Sequence, residues 1–495
     1  MTNPDTLPDL PDRPETSLDP ADWGQLRAAG HRALDEMFDW LMTLRDRPAW
    51  RPMPAEAFAA FQRPVPVEPE GFDRAYQDFR RDVLPYPVGN VHPRFWGWVQ
   101  GTGTAGGVVA EILTAGMNVN AWGGQHAAPY VEAQVLDWCK ELLGFPAEAT
   151  GVLVSGGSIA NLVGLQVARD AAGGEELARS GVGGLGAPLV VYASTETHNS
   201  VARAVRTLGL GQAGLRLVPV DDHFRVDLAA LRRAITEDRA AGRRPACVVG
   251  NAGTVNTGAT DDLEALAELS AAEGLWFHVD GAFGALAALS PALAPLVRGM
   301  ERADSLAFDL HKWLYMPYNV GCTLVRHPEH HRRAFAPGEA SYLTALERGT
   351  AAGPYNYSHL GPELSREFRA LKVWMSFKEH GVARYARQVE QNVAQARWLG
   401  EQVAADAELE LLAPVALNIV CFRYRVPSGA PGAVDRVNRE ILMRVQERGV
   451  AVPSSTVLRG AFALRVANTN HRSRREDLAA LLAAVREEGR RLTAS

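Results

Sequence analysis

Ser305-Leu306-Ala307-Phe308-Asp309-Leu310-His311-Lys312-Trp313 runs from an apolar stretch the length of one strand into a cluster of polar groups. Leu275-Trp276-Phe277-His278-Val279-Asp280-Gly281-Ala282 has the same design, an apolar run closed by Asp280 and small residues. Nearly continuous apolar runs of this length are what strands buried on both faces show. Between and around them lie helix-like stretches such as Asp261–Glu273. Further out, β-rich runs recur at Gly151–Ser155, Pro188–Ala193, Leu215–Val220 and Ala246–Gly250. Strands alternating with helices predict an open α/β sheet covered on both faces.

This pattern occupies residues 85–385. Beyond it, a long helix after Ala383, strands at Leu417–Tyr424 and Ala461–Val466, and an amphipathic helix over Arg475–Arg491 predict a smaller α+β domain over 386–495. Residues 1–84 form a third region. Its first 18 residues carry Pro4, Pro8, Pro11 and Pro14 among acids, the composition of an extended arm. A helix is expected from Asp19-Pro20, with Asp19 as cap and Pro48 as its stop. The Gly-rich segment Ala172–Ala187 reads as a loop.

Composition narrows the class. Of 495 residues, 47% are hydrophobic and 22% charged, which excludes a disordered or collagen-like chain. The net charge of −6 does not suit nucleic acid as the main partner. Cys139, Cys247, Cys322 and Cys421 lie far apart among apolar residues, as buried free thiols do. The first residues have neither a basic n-region nor an apolar h-region, and no apolar run is long enough to span a bilayer. The expectation is a cytoplasmic protein with no membrane partner.

Four features sit at the ends of predicted strands, where open α/β sheets bind ligands. Val154-Ser155-Gly156-Gly157-Ser158-Ile159-Ala160-Asn161 is either a tight strand–helix turn or an anion cradle. His198 follows the run ending at Ala193, and a lone histidine is more often a structural hydrogen-bonder. Asp280 is either a turn residue or a partner for a protonated ring nitrogen, with Gly281 and Ala282 leaving room for a flat ring. Lys312 either snorkels to solvent or is a desolvated amine able to form a Schiff base. Together they are the set that pyridoxal 5′-phosphate requires: a phosphate cradle, a stacking base, a carboxylate for the pyridine nitrogen and a lysine.

The chain resembles the group II pyridoxal-phosphate-dependent amino-acid decarboxylases, which act on aromatic L-amino acids, glutamate, cysteine sulfinate or histidine. The resemblance runs from Val91 to Val466. Its most specific marks are His311-Lys312-Trp313 and His278-Val279-Asp280-Gly281-Ala282. Weaker ones are His92-Pro93-Arg94-Phe95, Gly156–Asn161, Gly253-Thr254-Val255-Asn256-Thr257-Gly258 and Phe368-Arg369-Ala370-Leu371-Lys372. It implies fold type I, with a mostly parallel seven-stranded sheet, and a homodimer with sites at the interface. It implies that Lys312 carries the cofactor, beside His311, and that Gly157 and Ser158 hold the phosphate. Asp280 then meets the ring nitrogen, His198 and Ala282 cover the two ring faces, and Thr254 lies near the ring hydroxyl. Tyr342 matches a loop tyrosine that returns a proton after CO₂ leaves. Related aldehyde synthases carry Phe there, so Tyr342 favours decarboxylation. The catalytic set implied is Lys312, Tyr342, His198 and Asp280, with no metal.

This sequence also departs from the pattern. Asp309 stands where the aromatic-amino-acid members carry Asn beside the phosphate, and Arg366-Glu367 replaces Arg-Arg. Trp96, Trp98 and Trp122 suggest aromatic walls, whereas Asn118 and Asn120 stand where those members place apolar residues on the partner's substrate. Arg94 either meets a distal carboxylate or forms a structural ion pair, and Arg465 matches an arginine near the substrate. Arg94, Trp98, Asn120 and Arg465 are therefore the substrate-binding candidates, for an amino acid that is aromatic by preference. The alternatives are an acidic substrate (glutamate, aspartate or cysteine sulfinate), a same-fold aminotransferase or aldehyde synthase, or a catalytically silent cofactor-binding protein. Three other signals are set aside. Gly101-Thr102-Gly103-Thr104-Ala105-Gly106 reads as a turn, His327, His330 and His331 as a solvated basic face, and Arg472–Arg475 as surface.

Overall fold

The computed structural model describes residues 14–336, 346–426 and 431–494. They divide into two compact units. One combines the described residues up to Leu44 with Met53–Tyr86, and the other holds Arg45–Pro52 and everything from Pro87 on. The first unit is helical. Its longest helix, Trp23–Met42, starts later than Asp19-Pro20 predicts, because Asp22 caps it by accepting the Gln25 N–H at 3.0 Å. Thr43, not Pro48, ends it.

The second unit contains twelve strands: β1 Phe95–Trp96, β2 Thr150–Val154, β3 Leu189–Ser194, β4 Leu215–Val218, β5 Arg244–Asn251, β6 Trp276–Asp280, β7 Ser305–Asp309, β8 Gly321–Val325, β9 Leu409–Leu411, β10 Ile419–Tyr424, β11 Val452–Leu458 and β12 Ala461–Ala467. Seven form a sheet in the order β2-β8-β7-β6-β5-β3-β4. β3 to β7 run parallel, and β8 lies antiparallel to both β2 and β7. The expected mostly parallel seven-stranded sheet of fold type I is what forms. Every residue of β3, β6, β7 and β8 is buried, as their continuous apolar runs require.

The other five strands form a mixed sheet in the order β1-β11-β12-β10-β9. β1 comes from far upstream of residue 386 and pairs parallel with β11 through Phe95–Val452 and Trp96–Pro453. Trp96 is therefore core to this sheet, fully buried with its indole N–H on Ser473 Oγ at 2.9 Å, and is no pocket wall.

Three further expectations are corrected. Ala172–Ala187 is not a loop throughout: the helix Gly157–Ser180 runs on through it, kinked at Gly174, whose φ of 59° only glycine adopts freely. His331 is not on a solvated face, being fully buried between the Thr150 hydroxyl and the Leu360 carbonyl, each 2.8 Å away. Arg472 is not free surface either, because its guanidinium donates to the carbonyls of Thr102 and Gly103 at 3.0 Å. All four cysteines are buried and free.

The motif around Phe368 supplies interior charge pairs. The Arg366 guanidinium grips Glu132 at 2.6 Å, both nearly inaccessible, and also donates to the carbonyls of Ala121 and Leu153. Glu132 in turn accepts the Leu153 N–H at 3.1 Å. Removing one member of such a pair costs about 3–5 kcal/mol, since the other is left charged and buried.

Burial also makes the fold acid-sensitive. It lowers His92 and His331 to about 4, and His278 and His471 to about 3. Unfolded, each titrates near 6.5, so below that pH the unfolded chain takes up protons that the folded chain refuses. The contribution is complete above about pH 6.5 and is lost as pH falls toward the folded values, at up to about 1.4 kcal/mol per pH unit for each histidine. Tm is expected to fall steadily between pH 6.5 and 4.5, and less steeply in His331→Gln; a flat profile in the parent protein would contradict this account.

Candidate active site

Three parallel strands bring the chemistry to one edge. β6 ends at Asp280, β7 ends at Asp309 with Lys312 one turn beyond, and β3 is followed by His198. His278 and Asp280 are two apart on β6 and share a face. That face meets the helix Gly157–Ser180, whose Asn161 lies one turn in from Ser158.

Asn161 joins the polar groups of this face into one network. Its carboxamide nitrogen donates to Asp280 Oδ2 at 2.9 Å and to Ser200 Oγ at 3.0 Å, and its oxygen lies 2.9 Å from His278 Nε2. An amide oxygen only accepts, so His278 carries its proton on Nε2. His278 is held neutral by burial, so its Nδ1 accepts from Ser305 Oγ at 2.8 Å, and Ser305 accepts the Trp276 indole N–H at 2.8 Å. On the other branch, His198 Nδ1 accepts the Ser200 N–H at 3.2 Å and lies 2.8 Å from Ser200 Oγ. Burial lowers the His198 pKa, so the neutral ring presents its Nε2–H. Asp280 also accepts the Ala282 N–H at 3.1 Å and is nearly inaccessible.

Lys312 Nζ lies 2.8 Å from Asp309 Oδ2. Burial pulls its ammonium pKa down, but the charge and hydrogen bond of Asp309, helped by Asp280, outweigh that and hold it up. The His311 ring Nδ1 sits 2.9 Å from the Val320 carbonyl and its ring centroid 4.4 Å from that of Tyr318. Gly101, the first glycine of the set-aside turn, has a reason to be glycine: a Cβ there would lie 1.5 Å from the His311 carbonyl oxygen.

Two adjoining cavities share His198, Asp280, Ala282, Lys312 and Tyr318. One, of about 440 Å³, reaches Gly156, Gly157, Ser158 and Asp309. The other, of about 410 Å³, reaches Trp98, Phe283, Asn256, Ser455 and Arg465. Each volume suits a small ligand. Thr254 is buried with its hydroxyl 3.0 Å from that of Thr257. Arg94 lies 3.8 Å from Asp477, Asn120 accepts the Arg366 N–H at 2.8 Å, and neither lines these cavities. Tyr342 falls outside the described residues. Sequence reasoning gave no role to Asn161, Ser200 or Tyr318; for Asn161 the signal was present, one helical turn from the cradle and facing the strand that ends in Asp280. Among the described residues no cluster of three metal-ligating side chains occurs, and no helix is long and apolar enough to cross a membrane.

Pyridoxal phosphate fits this set. The glycine turn opens on the same space as a buried carboxylate that can face a pyridinium, a neutral imidazole and a primary amine. Sheet and site together define a fold type I pyridoxal-phosphate enzyme. A family model, the pyridoxal-dependent decarboxylase conserved domain, matches residues 54–425. The chain belongs to this family of carboxy-lyases. It is 34% identical over 467 residues to an aromatic-L-amino-acid decarboxylase of Bacillus atrophaeus, covering 93% of this chain and 95% of that one. It is 28% identical to a phenylacetaldehyde synthase of Petunia hybrida, covering 91% and 90%. The Oryza sativa TDC structure with PLP and tryptamine superposes with a TM-score of 0.87 at 27% identity, covering 96% of this chain and all of that one.

Replacing Asn161 by Ala removes a donor from Asp280 and the acceptor of the His278 N–H. An unmet buried group costs about 1–3 kcal/mol. Thermal denaturation of the cofactor-free protein should show that loss, whereas Asp222→Ala, at an exposed site, should leave Tm in place.

Proposed function

We propose that the protein decarboxylates an aromatic L-amino acid to its amine. The observation that carries the preference is the state of the cations at the second cavity. An acidic side chain needs an available cation there. Among the described lining residues the cations are Lys312, paired with Asp309, and Arg465. Arg465 spends four of its five N–H groups on the carbonyls of Trp98, Val255 and Asn256 and on Ser454 Oγ. Trp98, Phe283 and Tyr318 supply flat apolar surface instead. The Bacillus relative bears the name of an aromatic-amino-acid enzyme, which supports the same reading.

When bound, the cofactor supplies an electron sink for the pair left as CO₂ departs. The chain does the rest. Lys312 anchors the cofactor, while Gly157 and Ser158 seat its phosphate. Asp280, fixed by Asn161 and the Ala282 N–H, stabilises positive charge on the ring nitrogen. His198 and Ala282, which line both cavities, would hold the ring between them; Thr254 lines neither cavity. Trp98, Phe283 and Tyr318 in the walls of the second cavity would fix the substrate's orientation, and orientation selects the bond that breaks. Tyr342 returns the proton to the carbon left behind.

The working unit is a homodimer. On the helix Ala105–Met117 the exposed residues Val109, Ile112, Leu113 and Met117 share one face, an apolar stripe that a second copy would cover. Asn118 and Asn120 follow that helix. The protein works in the cytoplasm.

The test is a panel of L-amino acids with product identification by mass: tryptophan, tyrosine, DOPA, phenylalanine, histidine, glutamate, aspartate and cysteine sulfinate. An aromatic amine is expected. Amine from glutamate, aspartate or cysteine sulfinate would overturn the substrate reading, and aldehyde or keto acid in place of amine would overturn the reaction. Lys312→Ala is expected to abolish turnover and the cofactor's protein-bound absorbance; an unchanged spectrum would refute the anchor.

A further inference from the structure

Asp309 is placed against expectation. It is nearly inaccessible, at 1% exposure, and sits under the turn that forms the cradle. A Cβ on Gly157 would lie 2.7 Å from its Oδ2, and one on Gly321 would lie 2.7 Å from its Oδ1. Oδ2 pairs with Lys312, and Oδ1 has no hydrogen-bond partner. The other titratable groups that face it bring no charge to balance it: His311 is held neutral by burial, as is His198, and burial raises both the Tyr318 phenol and the Cys322 thiol of β8. Asp280 adds a second carboxylate whose charge also acts on Lys312. The cradle residues Gly156 and Gly157 offer no side chain at all.

We infer that Asp309 is a counter-ion for Lys312 in the cofactor-free protein and an opponent of the cofactor's phosphate in the loaded one, so that this single carboxylate limits how tightly the cofactor is held. The inference rests on the reading of Gly157 and Ser158 as the phosphate seat. A cofactor anchored through Lys312 takes the ammonium away from Asp309. The carboxylate is then left buried directly beneath the anion's seat, where water cannot screen the two like charges. Both effects act in one direction. Pairing with Lys312 favours the empty state, and repulsion of the phosphate disfavours the full one.

Pyridoxal and pyridoxal phosphate separate the two effects, because both can engage Lys312 and only one carries the phosphate. Dissociation constants for each, read from the absorbance of the bound cofactor, are compared between the parent protein and Asp309→Asn. Asparagine keeps the shape and removes the charge. Pyridoxal phosphate is expected to bind Asp309→Asn at least tenfold more tightly, and pyridoxal to gain clearly less. Unchanged or weaker binding of pyridoxal phosphate overturns the inference, and an equal gain for both ligands overturns its phosphate half. If Asp309→Asn, free of that repulsion, holds the two ligands equally well, the phosphate seat is misassigned, a failure distinct from that of Asp309. An independent arm uses pyridoxine 5′-phosphate, which lacks the aldehyde. Lys312→Ala, which strips Asp309 of its counter-ion, is expected to weaken its binding at least tenfold, and adding Asp309→Asn to restore it. Failure of that restoration overturns the inference even where Asp309→Asn alone does not fold.

Discussion

A carboxylate buried inside a protein has to be met by donors that cannot move away. At Asp280 these are the Asn161 carboxamide and the Ala282 N–H. Asn161 is held in turn by His278, and His278 by Ser305, so the orientation of one side chain reaches back through two neighbouring strands. The parallel register that sets β6 beside β7, with His278 opposite Ser305, is what allows the chain of bonds to close. The same asparagine reaches Ser200 and through it the His198 ring, so the carboxylate and the imidazole that line both cavities share one origin. A substitution at any link would be felt at the site although most links never touch a ligand.

Much of this was legible in the sequence because it rests on short-range pattern. The strands β6 and β7 are continuous apolar runs closed by an Asp, the pattern of strands buried on both faces. The helix expected over Asp261–Glu273 forms over Leu263–Glu273, with Asp262 as its cap. Competing signals misled at the first helix, where Asp19-Pro20 outbid Asp22 by the rule of proline at the first turn. β8, β9 and β11 escaped notice although each pairs with the strand next to it in the chain, and Gly321-Cys322-Thr323-Leu324-Val325 carries no local sign of its partners β7 and β2.

At the site, residue type was legible and contact was not. Lys312, Asp280, His198 and the glycine turn announce themselves by position at strand ends, and the structure brings them around one pair of cavities. Arg94 and Asn120 look equally chemical in the sequence, yet in this chain Arg94 lies near Asp477 and Asn120 caps the Arg366 backbone. An arginine's length lets it serve several neighbours, and which one it serves depends on packing that no local pattern records. His331 teaches the same lesson in reverse, a histidine in a basic run that turns inward to bridge Thr150 and Leu360.

Arg465 stands on β12 of the mixed sheet, yet its guanidinium holds the carbonyls of Val255 and Asn256, in the loop that follows β5 of the large sheet, and that of Trp98. The two sheets are thereby stitched together along the lining of the second cavity. An enzyme that opens by swinging one domain from another must break whatever crosses the gap, and here that would strand a buried guanidinium with its hydrogen bonds unmade. The bonds of Arg465 thus hold Trp98, the loop after β5 and β12 together as one wall of that cavity.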